Sequence, residues 1–312
     1  MEDKQQVGYC NDCPRQCGDK VGVCGGNYPL RLAWAGLHFG EEPLLTQGGG
    51  SGTVFVSGCN LRCTFCQNYQ ISQEGLGRAV SQDEFVRICL DLQNLGARNI
   101  NIVTGSHVWR TINEFLTTAK AQGLKIPICW NSSAYETVEM VESLSKNLSI
   151  FLPDLKTLNP LMSKALFAAE NYPRFAKRAI SAMVDASPLR VENGEILSGV
   201  IVRHLYLPGR FDDTRAVLEW FAENLKGRAL LSLMTQYTPV KDLSAFQNRL
   251  VEEKEAEMLS DLLADLDIED GFFQELNPGT EWLPDFTQTL PFDNNLAKTS
   301  WHYSQKGFSR CD

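Results

Sequence analysis

Apolar residues return along this chain in two alternating rhythms. From residue 53 onward, short unbroken apolar runs are separated by longer stretches where apolar residues recur every three or four positions. The first rhythm suits a buried strand and the second an amphipathic helix. TVFVSG (53–58), NINIVT (99–104), IPICWN (126–131), LSIFLPDLK (148–156), GVIVRHLYLPG (199–209) and LLSLMTQ (230–236) are predicted strands, and GFFQEL (271–276) a seventh. Helices are predicted over 81–96, 109–123, 134–146, 159–169, 173–186 and 212–227. Ser81 and Glu84 predict a capping box and Gly96 a stop. Pro160 suits a first helical turn. A last helix is expected over 248–266, with Met258, Leu259, Leu262, Leu263 and Leu266 on one face.

Six or seven strand–helix units in alternation argue for a parallel sheet covered by helices. Alternation alone leaves an open doubly wound sheet and a barrel both standing. No G-x-G-x-x-G follows a strand, which weakens a dinucleotide-binding reading. Ahead of this region, 1–47 reads as an irregular, Cys-bearing segment, and GGGSG (48–52) as a flexible connector. Three parts are therefore expected: a Cys-rich extension over 1–52, a core over 53–276, and a tail without strong periodicity over 277–312.

Composition narrows the class. The chain has 312 residues, 43% of them hydrophobic, too apolar for disorder. No stretch approaches a membrane span and no secretory leader is visible, so a cytoplasmic location is expected. The net charge is −9, yet 251–270 alone holds nine acids against one Lys. The remainder is nearly neutral, so no nucleic-acid partner is expected.

The ten cysteines change the picture most. Seven fall within the first 66 residues. GCNLRCTFCQN (58–68) follows the first predicted strand and spaces its thiols as Cys59-x3-Cys63-x2-Cys66. Three thiolates on one loop suit three corners of an iron–sulfur cluster, leaving one iron open to a chelating small molecule. The plainer alternatives are three buried apolar cysteines, or zinc with a distant fourth ligand. Polar residues also gather at the carboxyl ends of the other strands: Thr104, Ser106 and His107; Asn131 and Ser133; Asp154 and Lys156; Arg203 and His204; Gln236 and Tyr237. In a parallel barrel these ends share one face with the Cys loop.

The three-cysteine string resembles the radical S-adenosylmethionine (radical SAM) signature. That resemblance implies a [4Fe-4S] cluster on Cys59, Cys63 and Cys66, with S-adenosylmethionine on the fourth iron. It implies an α/β partial (β/α)6 TIM-like barrel behind the N-terminal Cys-rich extension. One electron, from a donor such as flavodoxin or ferredoxin, would release a 5′-deoxyadenosyl radical that abstracts hydrogen. The strand ends are similar to the glycyl-radical-enzyme activating branch, typified by pyruvate formate-lyase activating enzymes. Residues 104–107 stand at that branch's Gly-Gly-Glu motif without its Glu, so Thr104, Ser106 or His107 would substitute. Asn131 and Ser133 stand in its Asp-Thr-Asn-Gly-Phe, with Asn131 for the Asp. Asp154-Leu155-Lys156 fits its Asp-Leu-Lys beside the methionine part of the cofactor. Arg203 would meet the cofactor carboxylate or ribose, and Gln236 the adenine.

CNDCPRQCGDKVGVC spaces four further thiols as Cys10-x2-Cys13-x3-Cys17-x6-Cys24. Four thiolates so close, among Pro and Gly, fit zinc or an auxiliary iron–sulfur cluster. With RHLYLPG, LMTQY and WLPDF, this segment resembles the PflX-type branch of activating-enzyme-like proteins. The expected function is hydrogen abstraction by a radical SAM enzyme, oxidoreductase in type, with activation of a glycyl radical enzyme favoured. The rivals are modification of a small molecule or peptide, and a non-catalytic iron–sulfur electron carrier. His107, His204 and His302 read as positioned or core histidines, because radical abstraction needs no general base. Cys89 and Cys129 read as apolar packing, and Cys311 as adventitious.

Overall fold

The computed structural model describes residues 10–20, 22–25, 29–240, 248–274, 276, 283–293 and 295–305. Its elements run β1 (Arg31–His38), α1 (Pro43–Thr46), β2 (Ser51–Val56), α2 (Tyr69–Ser72), β3 (Arg78–Ala79), α3 (Gln82–Asn94), β4 (Ile100–Val103), α4 (Trp109–Ala121), β5 (Ile128–Ser132), α5 (Val138–Leu144) and β6 (Ile150–Pro153). They continue with α6 (Pro160–Phe167), α7 (Tyr172–Ala186), β7 (Arg190–Glu192), β8 (Glu195–Leu205), α8 (Phe211–Asn224), β9 (Leu230–Met234), α9 (Glu253–Asp265), β10 (Gly271–Phe273) and β11 (Ala297–His302).

One sheet orders these strands β10-β9-β8-β6-β5-β4-β2-β1-β11. Every neighbour from β2 to β10 pairs in parallel. These seven strands answer to the seven predicted apolar runs. Parallel strands need crossovers, and α3, α4, α5, α7, α8 and α9 supply them. The helices cover one sheet face: Phe85, Ile88, Ile112, Leu116, Met140, Leu144 and Ile180 pack against Ile102, Trp130, Phe151 and Val202. On the opposite face Leu45 of α1 packs with Cys129, Ile150, Leu152 and Ile201. Strands buried on both faces read as continuous apolar runs, which is why they were visible. Among the described residues the sheet path does not return on itself, consistent with a partial barrel.

Several expectations change. The stretch read as irregular, 1–47, contains β1, whose central six residues are buried. β1 runs antiparallel to β2 on one side and β11 on the other. GGGSG is a tight turn running straight into β2 rather than a loose connector. Gly50 donates its N–H to the Thr46 carbonyl, and any Cβ at Gly49 would sit 2.2 Å from the Gly96 carbonyl oxygen. The tail read as aperiodic carries β11, with Trp301 fully buried; Cys311 lies outside the described residues.

The capping box at α3 forms by half. Ser81 accepts from the Glu84 N–H, but Glu84 turns outward to Arg78 and the Trp301 indole N–H. A buried indole needing an acceptor, with a guanidinium beside it, outcompetes one backbone N–H. On α9, Leu259 and Leu262 are buried as expected, whereas Met258 is exposed. Cys89 and Cys129 lie fully in the core.

Candidate functional site

The loop from 58 to 68 leaves the carboxyl end of β2 through a turn that only glycine fits. Gly58 has φ +91°, and a Cβ there would meet His107 Nε2 at 2.7 Å and the Cys24 carbonyl oxygen at 2.9 Å. Beyond it the backbone is fastened from several sides. Asn60 Nδ2 donates to the Tyr135 carbonyl (2.8 Å), and Arg15 Nε donates to the Asn60 carbonyl (2.8 Å). Thr64 N–H donates to the Leu166 carbonyl, and Gln73 Nε2 to the Cys63 carbonyl. Phe65 packs on Phe167 and Tyr237. The loop is thus held mainly by its backbone, the Asn60 amide and one aromatic anchor, while its thiols take the Leu61 N–H at Cys59 and the Ser72 hydroxyl at Cys66.

Cys59, Cys63 and Cys66 line a cavity of about 270 Å³. Burial pushes the Cys59 thiol up to about 11, while the Leu61 N–H and the Lys156 charge pull the other way. Burial raises the Cys63 thiol further, again against Lys156. Thiols placed this way ionise readily only with a positive centre beside them, as on binding iron. Among the described residues, no three His, Cys, Asp or Glu side chains come close enough to share one metal ion. A cubane spreads its thiolates over separate irons, so three thiols of one loop facing a common cavity fit it.

The cavity gathers most of the residues expected from the strand ends. Thr104, Asn131, Ser133, Asp154, Lys156, Arg203 and Gln236 all line it. Thr104 takes φ +63°, a strained conformation for a β-branched residue, at the turn out of β4. Lys156 Nζ and Asp154 Oδ2 form an ion pair of 2.7 Å. Burial disfavours the Lys156 charge, but Asp154 and Cys63 more than offset it and raise its pKa.

Two of the expected residues have strong partners within the protein. Ser106 is buried and donates to Glu136 Oε1 at 2.6 Å, where the Trp130 indole also donates at 2.7 Å. Burial raises the Glu136 pKa, with those donors opposing it. Arg203 is gripped by two carboxylates. Its Nε and one terminal nitrogen form a fork on Glu42 (2.7 and 2.8 Å), and it also pairs with Glu41. Burial alone would raise the Glu42 carboxyl; the guanidinium charge and hydrogen bonds bring it below its ordinary value.

Sequence reasoning passed over Glu41, Glu42, Glu136 and His38. Only Glu136 left a signal, as an acid directly after the polar end of a predicted strand. The three histidines are held by neighbours. His107 Nε2 donates to the Ser57 carbonyl, and burial brings its pKa down to about 4. His204 bonds the Leu155 carbonyl and the Thr214 hydroxyl, and burial likewise lowers it to about 4. His302 bonds Ser304 and the Phe286 carbonyl.

The N-terminal cysteines lie against this loop. Trp109 Nε1 donates to the Asp12 carbonyl, and Arg110 pairs with the Asp12 carboxylate. Arg62 of the Cys loop donates to the Val23 carbonyl. Cys13 is buried, and burial pushes its thiol up to about 12, with Cys24, Cys10 and Cys17 adding to the rise. Cys24 also raises Cys59, so the two thiol groups are electrostatic neighbours.

Comparison with known proteins agrees with this geometry. A solved structure of the radical SAM methyltransferase TsrM from Kitasatospora setae, with cobalamin and a [4Fe-4S] cluster bound, superposes at TM-score 0.52. It is 11% identical, covering 74% of this chain and 56% of that one. Streptococcus suis SuiB bound to its precursor peptide SuiA superposes at 0.50, with 14% identity over 70% and 47% of the two chains. Methylornithine synthase PylB does so at 0.50, with 12% identity over 80% and 73%. At such identities the likeness is one of fold. An uncharacterized protein of Methanocaldococcus jannaschii, MJ0674, is 30% identical over 229 residues, 70% of this chain and 62% of that protein. The chain thus spans less than two thirds of that relative. Residues 53–221, more than half of the chain, match the model of the radical SAM superfamily, beginning at β2 and taking in the whole Cys loop. With three cavity-facing thiols at the carboxyl end of the first parallel strand, the chain belongs to that superfamily.

Proposed function

We propose that this protein abstracts hydrogen from its substrate as a radical SAM enzyme. The observation that carries the reading is the placing of Cys59, Cys63 and Cys66 on the same cavity as Asn131, Asp154, Lys156 and Gln236. With a [4Fe-4S] cluster and S-adenosylmethionine bound, the centre supplies a 5′-deoxyadenosyl radical, using one electron from a donor of the flavodoxin or ferredoxin class. The chain's own residues do the rest. The three cysteines are the cluster ligands. The Asp154–Lys156 pair and Asn131 offer both signs of charge and a neutral amide to the zwitterionic cofactor, in a buried setting where such contacts are strong. Thr104 and Ser133 offer hydroxyls, and Gln236 an amide at the adenine end. Ser106, spent on Glu136, positions the β4 end rather than touching the cofactor.

Installation of a glycyl radical on a partner protein is the favoured reaction, on the resemblance of the strand ends to activating enzymes. Modification of a small molecule or peptide is the second reading, favoured by the length of the cavity, which runs from the cysteines past Arg203 to Glu41. The test is anaerobic reconstitution, strong reduction, and assay for 5′-deoxyadenosine. Release is expected with S-adenosylmethionine alone and more with substrate. Absence of release from fully loaded protein would leave an electron carrier instead. A glycyl radical signal in a partner, dependent on this protein, separates activation from the second reading.

Cys10, Cys13, Cys17 and Cys24 are proposed as a second metal centre, zinc or an auxiliary iron–sulfur cluster; no three of these thiols are placed to share one ion, so thiolates spread over the separate irons of a cluster fit their arrangement better than zinc. The support is their shared electrostatics and their seat on the Cys loop. A Cys10→Ser/Cys13→Ser double variant is expected to lose either its zinc or a share of its iron and sulfide, measured per chain. Unchanged metal and sulfide content would exclude the centre. No described helix is long and apolar enough to cross a membrane, and a cytoplasmic setting is proposed with the reduced donors it would supply.

A further inference from the structure

The cavity has a second end, away from the cysteines. His38, Gly40 and Glu41 line it there, with Phe292 and Leu296. His38 pairs with Ser51 at the start of β2, whereas Cys59 lies beyond its finish, so the two ends are separated by the length of that strand.

The charges at this end do not balance. Arg203 carries one positive charge against Glu41 and Glu42, whose side chains are only 7% and 5% exposed. Lys156 is committed to Asp154. Burial lowers the His38 pKa, which keeps the ring neutral beside Glu41. One buried carboxylate equivalent is left over, a costly arrangement without a cation.

Unfilled polar atoms lie on either side of Glu41, one in the cavity wall and one behind it. Asn101, fully buried, donates Nδ2 to Glu41 Oε1 at 3.1 Å, which fixes its amide orientation. Its Oδ1 is an acceptor with no partner among the described residues. His38 Nδ1 is likewise unpartnered, 3.6 Å from Glu41 Oε1. Aromatic rings wall the space: Phe292 packs edge-on to His38 at 4.8 Å, and Phe55 lies beside it at 5.6 Å. Surplus carboxylate, an open acceptor and ring faces together make a receptor for a cationic hydrogen-bond donor.

We infer that the Glu41 end of the cavity binds a protonated amino group of the substrate. Glu41 supplies the charge, His38 accepts a further N–H bond, Asn101 behind Glu41 holds its carboxylate in place, and Phe55 and Phe292 take the adjoining methylenes. The inference rests on the reading of this cavity as the reaction site. It names the substrate class as amine-bearing, whether a free small molecule or a lysine side chain reaching in.

The test is calorimetric titration of the reconstituted protein, loaded with S-adenosylmethionine, with n-butylammonium, n-butanol and n-butyrate. Butylammonium is expected to bind about ten- to hundredfold more tightly than the other two, the range of one hydrogen bond to a charged group. Glu41→Gln is expected to erase that preference, its fold checked by circular dichroism. Should Glu41→Gln fail to fold, the ranking on the unaltered protein still decides. Equal binding of the three probes, or an unchanged preference in a folded Glu41→Gln, overturns the inference. A lysine-containing peptide competing with butylammonium would assign the amine to a side chain. Release of 5′-deoxyadenosine is measured on the same preparation. Release without an ammonium preference defeats only this inference, and no release defeats the underlying function.

Discussion

Cys63→Ala, reconstituted anaerobically with iron and sulfide, is expected to lose its cubane and its 5′-deoxyadenosine release while keeping its fold. The fall in release should exceed about 100-fold, because loss of an outer-shell partner alone costs up to that much at metal sites. The fold survives because the loop is fastened by bonds that do not use the Cys63 thiol. The Cys63 carbonyl takes the Gln73 amide, Thr64 is tied to Leu166, and Asn60 bridges Tyr135 and Arg15. None of these bonds uses sulfur. Removing a buried thiol whose ionisation burial resists also costs the protein nothing in charge. Iron and sulfide per chain, the visible absorbance of the cluster, and far-ultraviolet circular dichroism check the three parts separately. Full iron loading together with unaltered release would remove Cys63 from the ligand set.

The parallel core and the cysteine loop were legible because local rules govern them. Strands buried on both faces must be apolar throughout, so β2, β4, β5, β6, β8 and β9 show as runs, while β10, a largely exposed edge strand, shows only by its short GFF. Ligands on one loop show as spacing. Partners far apart in sequence leave no such trace. Glu41 and Glu42 meet Arg203 across about 160 positions, and nothing local in EEP distinguishes buried acids from surface ones. β1 escaped because the cysteines ahead of it made the whole segment read as irregular, although LRLAWAGL is itself an apolar run. The tertiary fold also gives Ser106 a partner that no local pattern shows: its hydroxyl donates to Glu136, 30 positions along the chain. Glu84 departs from its cap for the same physical cause, a stronger donor pair brought up by the tertiary fold.

The largest stability effect should come from Arg203→Met, and its pH dependence carries the argument. Removing the guanidinium strands Glu41 and Glu42 in a site where each is more than nine-tenths buried. Breaking a buried pair this way costs about 3–5 kcal/mol, to be read by urea unfolding near neutral pH. In the unaltered protein Arg203 holds the Glu42 carboxyl below its ordinary 4.5. A carboxyl lowered by folding contributes stability that is present above that ordinary value and is lost as pH falls below it through the lowered one. In Arg203→Met the burial remains and the counter-charge is gone, so the carboxyl is raised instead. A raised carboxyl favours folding at low pH, and that contribution is lost as pH rises. The deficit of the variant should therefore shrink on acidification toward the ordinary carboxyl range. Arg203→Lys keeps the charge but not the two-pronged grip on Glu42, and should fall between the two. Neutralising all three groups, as Arg203→Met/Glu41→Gln/Glu42→Gln, should recover part of the loss, since no uncompensated charge is left inside. A deficit that stays constant or grows as the pH falls would mean that Arg203 acts by packing rather than by holding the two carboxylates.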